Sequence, residues 1–331
     1  MKKILTVLTG GTIGCESQNG ILSVQSGNCR ALELYKETYH DDTEFVIVQP
    51  LHILSENLDK KHWETLVNFL YSTDLTDFDG IIITHGSDTL SYTSAVLGIC
   101  CRHFNIPVVI TAANYIPDDS RSNALCNIHA AVVLVHTFSH GVFTVYRNDG
   151  ENFCSVYLPE QIREADRFLG KFTSFRGSLF GKITENGFHQ LTPSLYPVRM
   201  SPAFSDKTLS LANDILLIKP YPSMLYSAIA LPDTVKAVLH ITYHSCTVKT
   251  DGTENALYFL KKCQNKGIDF YFTAVKGSSV YETSHALLQN GAVPLWNLSD
   301  EAALAKLLLY YNCQIQDRSV FLSDSTSKNP T

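Results

Sequence analysis

Short apolar runs alternate along this chain with longer segments of helical period. The pattern predicts strands near residues 3–8, 44–49, 80–84, 107–111 and 142–146, and helices near 28–38, 59–72, 88–104 and 121–137. Parallel neighbours need a long crossover connection, usually a helix, so this alternation predicts an α/β fold with a mostly parallel sheet flanked by helices. From about Thr184 to Ala212 the period lapses and Pro193, Pro197 and Pro202 accumulate, which reads as a linker. The pattern resumes with strands at 214–218, 235–241 and 268–272 and helices near 253–266, 283–290 and 299–311, predicting a smaller C-terminal α/β domain with a four-stranded parallel sheet. The expected division is therefore 1–190, a linker at 191–212, a second domain at 213–322 and a disordered tail at 323–331, which is rich in Ser, Asn, Lys and Pro.

Composition narrows the partners. With 331 residues, 45% of them hydrophobic and 18% charged, the chain can bury a full core. A net charge of -6 and the absence of any Lys/Arg cluster argue against nucleic acid or an anionic membrane as partner. After Lys2-Lys3 the first apolar run is cut by Thr6 and by Thr9-Gly10-Gly11, which leaves too little for a signal peptide or a membrane span. The expectation is a chain that begins here and resides in the cytoplasm. Nine cysteines with no C-x-x-C spacing, two of them adjacent at Cys100-Cys101, read as reduced, buried thiols. Twelve scattered histidines make no H-x-x-x-H or H-E-x-x-H spacing with acidic partners, so no metal site is expected.

Two loops carry the candidate chemistry. Ile4-Leu5-Thr6-Val7-Leu8 runs into Thr9-Gly10-Gly11-Thr12-Ile13-Gly14, which sets a hydroxyl beside glycines that let a ligand approach the backbone. Gly80-Ile81-Ile82-Ile83-Thr84 runs into His85-Gly86-Ser87-Asp88-Thr89, which sets a hydroxyl next to a carboxylate. Ligands of open parallel sheets sit beyond the carboxyl ends of strands, so both loops are expected on one sheet edge. Taken alone, the first loop also suits a phosphate turn or a plain tight turn, and Ser87 or Asp88 suits a helix cap. No G-x-G-x-x-G or G-x-x-x-x-G-K-[ST] accompanies the glycines, and no acidic residue ends the second strand to meet a ribose, so nucleotide binding is not expected.

The two motifs together resemble the signatures of the bacterial asparaginase/glutaminase family, T-G-G-T-I followed about seventy-five residues later by T-H-G-T-D-T. The likeness, closest to the cytosolic type, extends through Ser55-Glu56-Asn57-Leu58, where the family has S-x-D-M, and through Pro107-Val108-Val109-Ile110-Thr111 with Ser120-Arg121-Ser122-Asn123. It reaches Tyr281-Glu282-Thr283-Ser284-His285-Ala286-Leu287. The resemblance implies a two-domain amidohydrolase without metal or organic cofactor, acting on L-asparagine or a related small amide. It makes Thr12 the nucleophile, Ser87 and Asp88 the groups that move protons and hold the substrate ammonium, and Ser55 the ligand of its α-carboxylate. Glu56, Gly11 and Gly86 complete the implied substrate site. The family assembles as dimers of intimate pairs, so a homo-oligomer, dimer or tetramer, is implied.

The chain departs from the family in four places. Residues 15–27 hold no tyrosine where the family's mobile lid has one, and Ile21 takes its place. Counting back from Phe172, Arg163 stands for a buried lysine; arginine can hold Asp88 but stays protonated and cannot relay a proton, whereas nearby Lys171 can. Thr242-Tyr243-His244-Ser245-Cys246-Thr247 replaces a Gly/Asn turn through which a neighbouring protomer completes the site, and Asn123-Ala124 replaces an Asp-Gly pair. These changes leave a rival reading open, a homologue that binds an amino acid without catalysis or acts on a different amide.

Overall fold

The computed structural model describes residues 2–18, 21–24, 29–195, 202, 208–274, 281–315 and 321–323, and side chains throughout these except at 15–18 and 21–24. Contacts divide the chain into two compact units, the first reaching Ala203 and the second running mainly from Ser210 to Ser325. The residues between them, and the tail expected to be disordered, lie largely outside the described residues.

In the first unit β1 (Lys3–Leu8) is followed by a hairpin, β2 (Cys15–Gln18) and β3 (Ile21–Val24). Then come α1 (Arg30–Tyr39), β4 (Glu44–Val48), α2 (Lys60–Ser72), β5 (Gly80–Thr84), α3 (Leu90–Cys100), β6 (Pro107–Thr111), α4 (Ala124–Thr137) and β7 (Gly141–Tyr146). Strands β4, β1, β5, β6 and β7 lie side by side in that order and all run parallel. Every residue of β5, β6 and β7 is buried, as expected for parallel strands covered on both faces. Their β-branched residues suit that pleated, fully packed environment.

The other sheet edge departs from the sequence pattern. Strands β8 (Cys154–Tyr157), β11 (Gly181–Thr184) and β12 (Gly187–Gln190) add to it antiparallel, and β9 (Ile162–Arg163) pairs with β10 (Thr173–Ser174) outside it. The full order is β12-β11-β8-β7-β6-β5-β1-β4. Each added strand has four residues or fewer, too short to register a period, and β12 falls where the period lapses, ending just before the expected linker.

The second unit is a parallel sheet of β13 (Asp214–Ile218), β14 (Val235–His240), β15 (Asp269–Ala274) and β16 (Val293–Trp296), with α5 (Ala256–Gln264), α6 (Glu282–Gln289) and α7 (Asp300–Tyr310). The fold class expected from the sequence is the observed one. The fourth strand escapes the apolar pattern because Pro294 interrupts it, a residue confined in sheets to edges such as β16.

Two asparagines of the α4 segment tie the sheet's carboxyl edge together. Asn127 Nδ2 donates to Ala112 O at 2.9 Å, and its Oδ1 accepts from Arg147 N at 2.8 Å, so it spans the residues that follow β6 and β7. Asn123 exchanges two bonds with Asn114 and donates to Arg147 O at 2.8 Å. Both side chains are fully buried. Asn127→Leu leaves one carbonyl and one N–H unpaired, and is expected to cost about 2–4 kcal/mol, read as an earlier chemical-denaturation midpoint for the first unit.

Candidate active site

β1 and β5 pair in parallel from Ile4↔Gly80 to Leu8↔Thr84, so the two hydroxyl-bearing loops leave the same sheet edge side by side. Thr9 locks them at their origin: its N–H and its hydroxyl both donate to Thr84 O, at 3.2 and 2.8 Å. The first loop also bonds to the segment after β4, Gly11 N donating to Ile53 O at 3.2 Å and Ile53 N to Thr9 O at 3.1 Å.

The loops meet at glycines. Gly11 has φ +75°, and a methyl on it would come within 2.5 Å of the Gly86 Cα and N. A methyl on Gly86 would come within 2.4 Å of Ser55 Oγ. Three chain segments therefore touch where only hydrogen fits. Around this point Ser55 Oγ donates to Asp88 Oδ2 at 3.5 Å, and Thr89 Oγ1 donates to Ser55 O at 2.9 Å.

The structure thus brings Gly11, Gly86, Ser55 and Asp88 into one cluster. Thr12 opens the helical turn Thr12–Gly14 directly after Gly11 and is half-buried, and Ser87, directly after Gly86, is half-buried too. Ser55 is only 4% exposed, whereas Asp88 and Glu56 are exposed. Arg163 lies on β9 opposite Thr173 and is exposed. The hydrogen bond that reaches Asp88 comes from Ser55, not from Arg163, whose strand lies against α3. The expected lid is the β2–β3 hairpin, with Ile21 opposite Gln18, but its side chains lie outside the described residues.

A buried relay centred on His85 supports the second loop. His85 Nδ1 lies 2.8 Å from Gly86 O, a pure acceptor, so Nδ1 carries the proton and Nε2 accepts. Thr93 Oγ1, 3.0 Å away, donates to Nε2 and itself accepts from Trp63 Nε1 at 3.0 Å. Burial of the neutral ring lowers its pKa to about 4. The sequence signal for this relay is the set of hydroxyls at Ser91, Thr93 and Ser94 inside an otherwise apolar helix, all fully buried.

Among the described residues no group of three or more His, Cys, Asp or Glu side chains could hold a metal ion. No helix among them is long and apolar enough to cross a membrane. The described cysteines are free, and six of the eight are buried.

A family model, Asparaginase, N-terminal, matches residues 3–183, more than half of the sequence, and the chain belongs to the asparaginase family. It is 24% identical to the L-asparaginase of Thermococcus kodakarensis over 329 residues, covering 92% of each protein. The thermostable L-asparaginase structure from that organism superposes with a TM-score of 0.79 at 20% identity over 99% of both chains. L-asparaginase I of Vibrio cholerae gives a TM-score of 0.73 at 20% identity, covering 97% of this chain and 95% of that one. The D subunit of the glutamyl-tRNA(Gln) amidotransferase from Methanosphaera stadtmanae is 24% identical over 269 residues, which are 78% of this chain and 60% of that protein. The chain thus spans about 60% of the length of such amidotransferase relatives. Archaeal relatives stand beside a bacterial one, so the family holds while the narrower bacterial, cytosolic-type likeness is not carried by them.

Two outcomes follow from the geometry. Gly86→Ala is expected to destabilise the first unit by about 1–3 kcal/mol, read in chemical denaturation, because the methyl meets Ser55. His85 binds a proton more readily unfolded than folded, so between pH 6.5 and about 4 stability falls as pH falls. His85→Asn keeps a donor toward Gly86 O but no titration, and should flatten that part of the pH profile relative to wild type.

Proposed function

We propose that this chain is an amidohydrolase releasing ammonia from the side-chain amide of L-asparagine or a related small amide, with Thr12 as nucleophile. The observation that carries the reading is the contact of the Gly11 and Gly86 backbones beside the Ser55–Asp88 hydrogen bond. It sets the loop of a threonine against the loop of a hydroxyl–carboxylate pair.

In this reading Thr12 Oγ attacks the amide carbonyl and loses its proton toward Ser87 and Asp88. The tetrahedral oxyanion is held by loop amides, ammonia leaves carrying the transferred proton, and water then hydrolyses the threonyl ester. Ser55 binds the substrate α-carboxylate, with Asp88 and Glu56 toward its ammonium group. Arg163 supplies a positive charge from β9 where the family has a lysine. General acid–base help is worth roughly 10²–10⁴-fold per group, so Ile21 and Arg163 in place of a tyrosine and a lysine point to slow turnover of ordinary asparagine. The reading also carries a homo-oligomer, cytoplasmic residence and the division into domains at about residues 191–212.

Those same two departures favour a second reading, a homologue that keeps the pocket for an amino acid without the chemistry, or that uses another amide. Similarity to amidotransferase chains gives the latter a direction. Ammonia release from asparagine, glutamine and small amides separates the readings: no release from any of them, with a ligand-induced rise in melting temperature, overturns the hydrolase. Thr12→Ala is expected to abolish release while ligand affinity stays within a few-fold, and unchanged turnover removes Thr12 from the mechanism.

A further inference from the structure

A cavity of about 260 Å³ opens among the loops that follow β6 and β7, lined by Asn114, Tyr115, Arg121, Arg147, Asp149 and Glu151 among others. None of Thr12, Ser55, Ser87 and Asp88 lines it. Its volume falls below the roughly 300–1,000 Å³ of sites for drug-sized ligands, which restricts it to a small occupant.

The lining carries charges of both signs. Arg147 is half-buried, and its guanidinium donates to the Cys126 thiol sulfur at 3.2 Å and to Ser122 O at 3.3 Å. Among the described residues no carboxylate lies within 4.0 Å of it. A half-buried guanidinium whose partners are all neutral keeps its charge available for a carboxylate, which it takes in two parallel bonds. Arg121 also lines the cavity, its guanidinium 4.2 Å from the Tyr115 ring centre and bonded twice to Asp119. Asp149 and Glu151 supply the negative charges of the lining. Each carboxylate is held by a single side-chain bond, from Asn114 Nδ2 at 2.8 Å and from Ser155 Oγ at 3.2 Å, leaving acceptor sites for an ammonium.

The cavity is also held in shape before anything binds. Asn114 is bonded to Asn123, and the Arg147 backbone is bonded on both sides to Asn123 and Asn127. Buried Asn148 is clamped to Phe172 by two bonds and to Tyr157 by a third. A site fixed in this way spends little of its binding energy on ordering itself.

We propose that this cavity binds a free α-amino acid, its carboxylate on Arg147 and its ammonium group on Asp149 and Glu151, at a site separate from the candidate hydrolytic centre. Arg147, which has no carboxylate partner among the described residues, and the carboxylates of Asp149 and Glu151 around one small cavity match a zwitterion; a dianion meets the carboxylates there and a diamine meets the guanidinium. The proposal does not rest on the hydrolase reading.

Calorimetric titration of the full chain with glycine, L-aspartate, succinate and 1,4-diaminobutane tests it. The Ser55→Ala/Asp88→Asn double variant removes the candidate hydrolytic centre from the measurement, and in it each amino acid should still bind one equivalent. In that background succinate and 1,4-diaminobutane should bind at least about tenfold more weakly. Arg147→Met and Asp149→Asn should each weaken glycine by about tenfold or more, and Arg147→Lys by less. Asp149 is exposed and accepts one side-chain bond, so its variant decides the matter if Arg147→Met fails to fold. Loss of all amino-acid binding in the double variant, or glycine binding indifferent to both Arg147→Met and Asp149→Asn, overturns the proposal.

Discussion

The backbone contact between Gly11 and Gly86 is the constraint on which the candidate site depends. Thr12, Ser87 and Asp88 follow one of these glycines by one or two residues, so their relative placement is inherited from two backbones in contact. Backbone is stiffer than any side chain that could mediate the same approach, and neither glycine has space for a methyl. Thr9 adds two hydrogen bonds to the Thr84 carbonyl where the loops begin, and the Ile53 segment also binds the first loop. The loops are irregular in conformation but not loosely held.

A second tier of buried polar groups supports this edge from beneath. Trp63 on α2, Thr93 on α3 and His85 form a chain in which every donor has one acceptor, ending on the carbonyl of Gly86. Asn123 and Asn127 perform the same service for the loops after β6 and β7. Such networks stabilise only when complete, because an unpaired group left in a low-dielectric interior costs more than a pair gains. The Asn123-Ala124 sequence, which departs from the family's Asp-Gly, is here accounted for: a neutral amide both donates and accepts between Asn114 and Arg147, where a carboxylate could only accept.

The same carboxyl edge therefore presents two polar centres built on one principle. At one, hydroxyls and a carboxylate gather at glycines with a hydrogen bond already in place; at the other, charges of both signs line a small cavity. Both arise because parallel strands deliver all their outgoing loops to one edge, so neighbouring loops share walls. A fold of this kind accommodates changes at Ile21 or Arg163 without disturbing its sheet, since neither residue belongs to the eight-stranded sheet.

By itself the amino-acid sequence determined the α/β class and, to within a few residues, the five parallel strands of the first unit and the helices α1 to α7 among the described residues, because each is long enough to show its period. The short antiparallel strands, the proline-broken β16 and the β2–β3 hairpin left no such trace. The hydroxyl and carboxylate candidates were legible as motifs, since Thr12, Ser87 and Asp88 stand next to their glycines in the chain. What the tertiary structure alone decided is which groups from distant segments touch: Ser55 reaching Asp88 rather than Arg163 doing so, Thr93 and Trp63 holding His85, and Arg147 bonded to a thiol and a carbonyl rather than to a carboxylate. The physical reason is that periodicity records which face of an element is buried, whereas hydrogen bonds across segments depend on where the backbone finally places each polar atom.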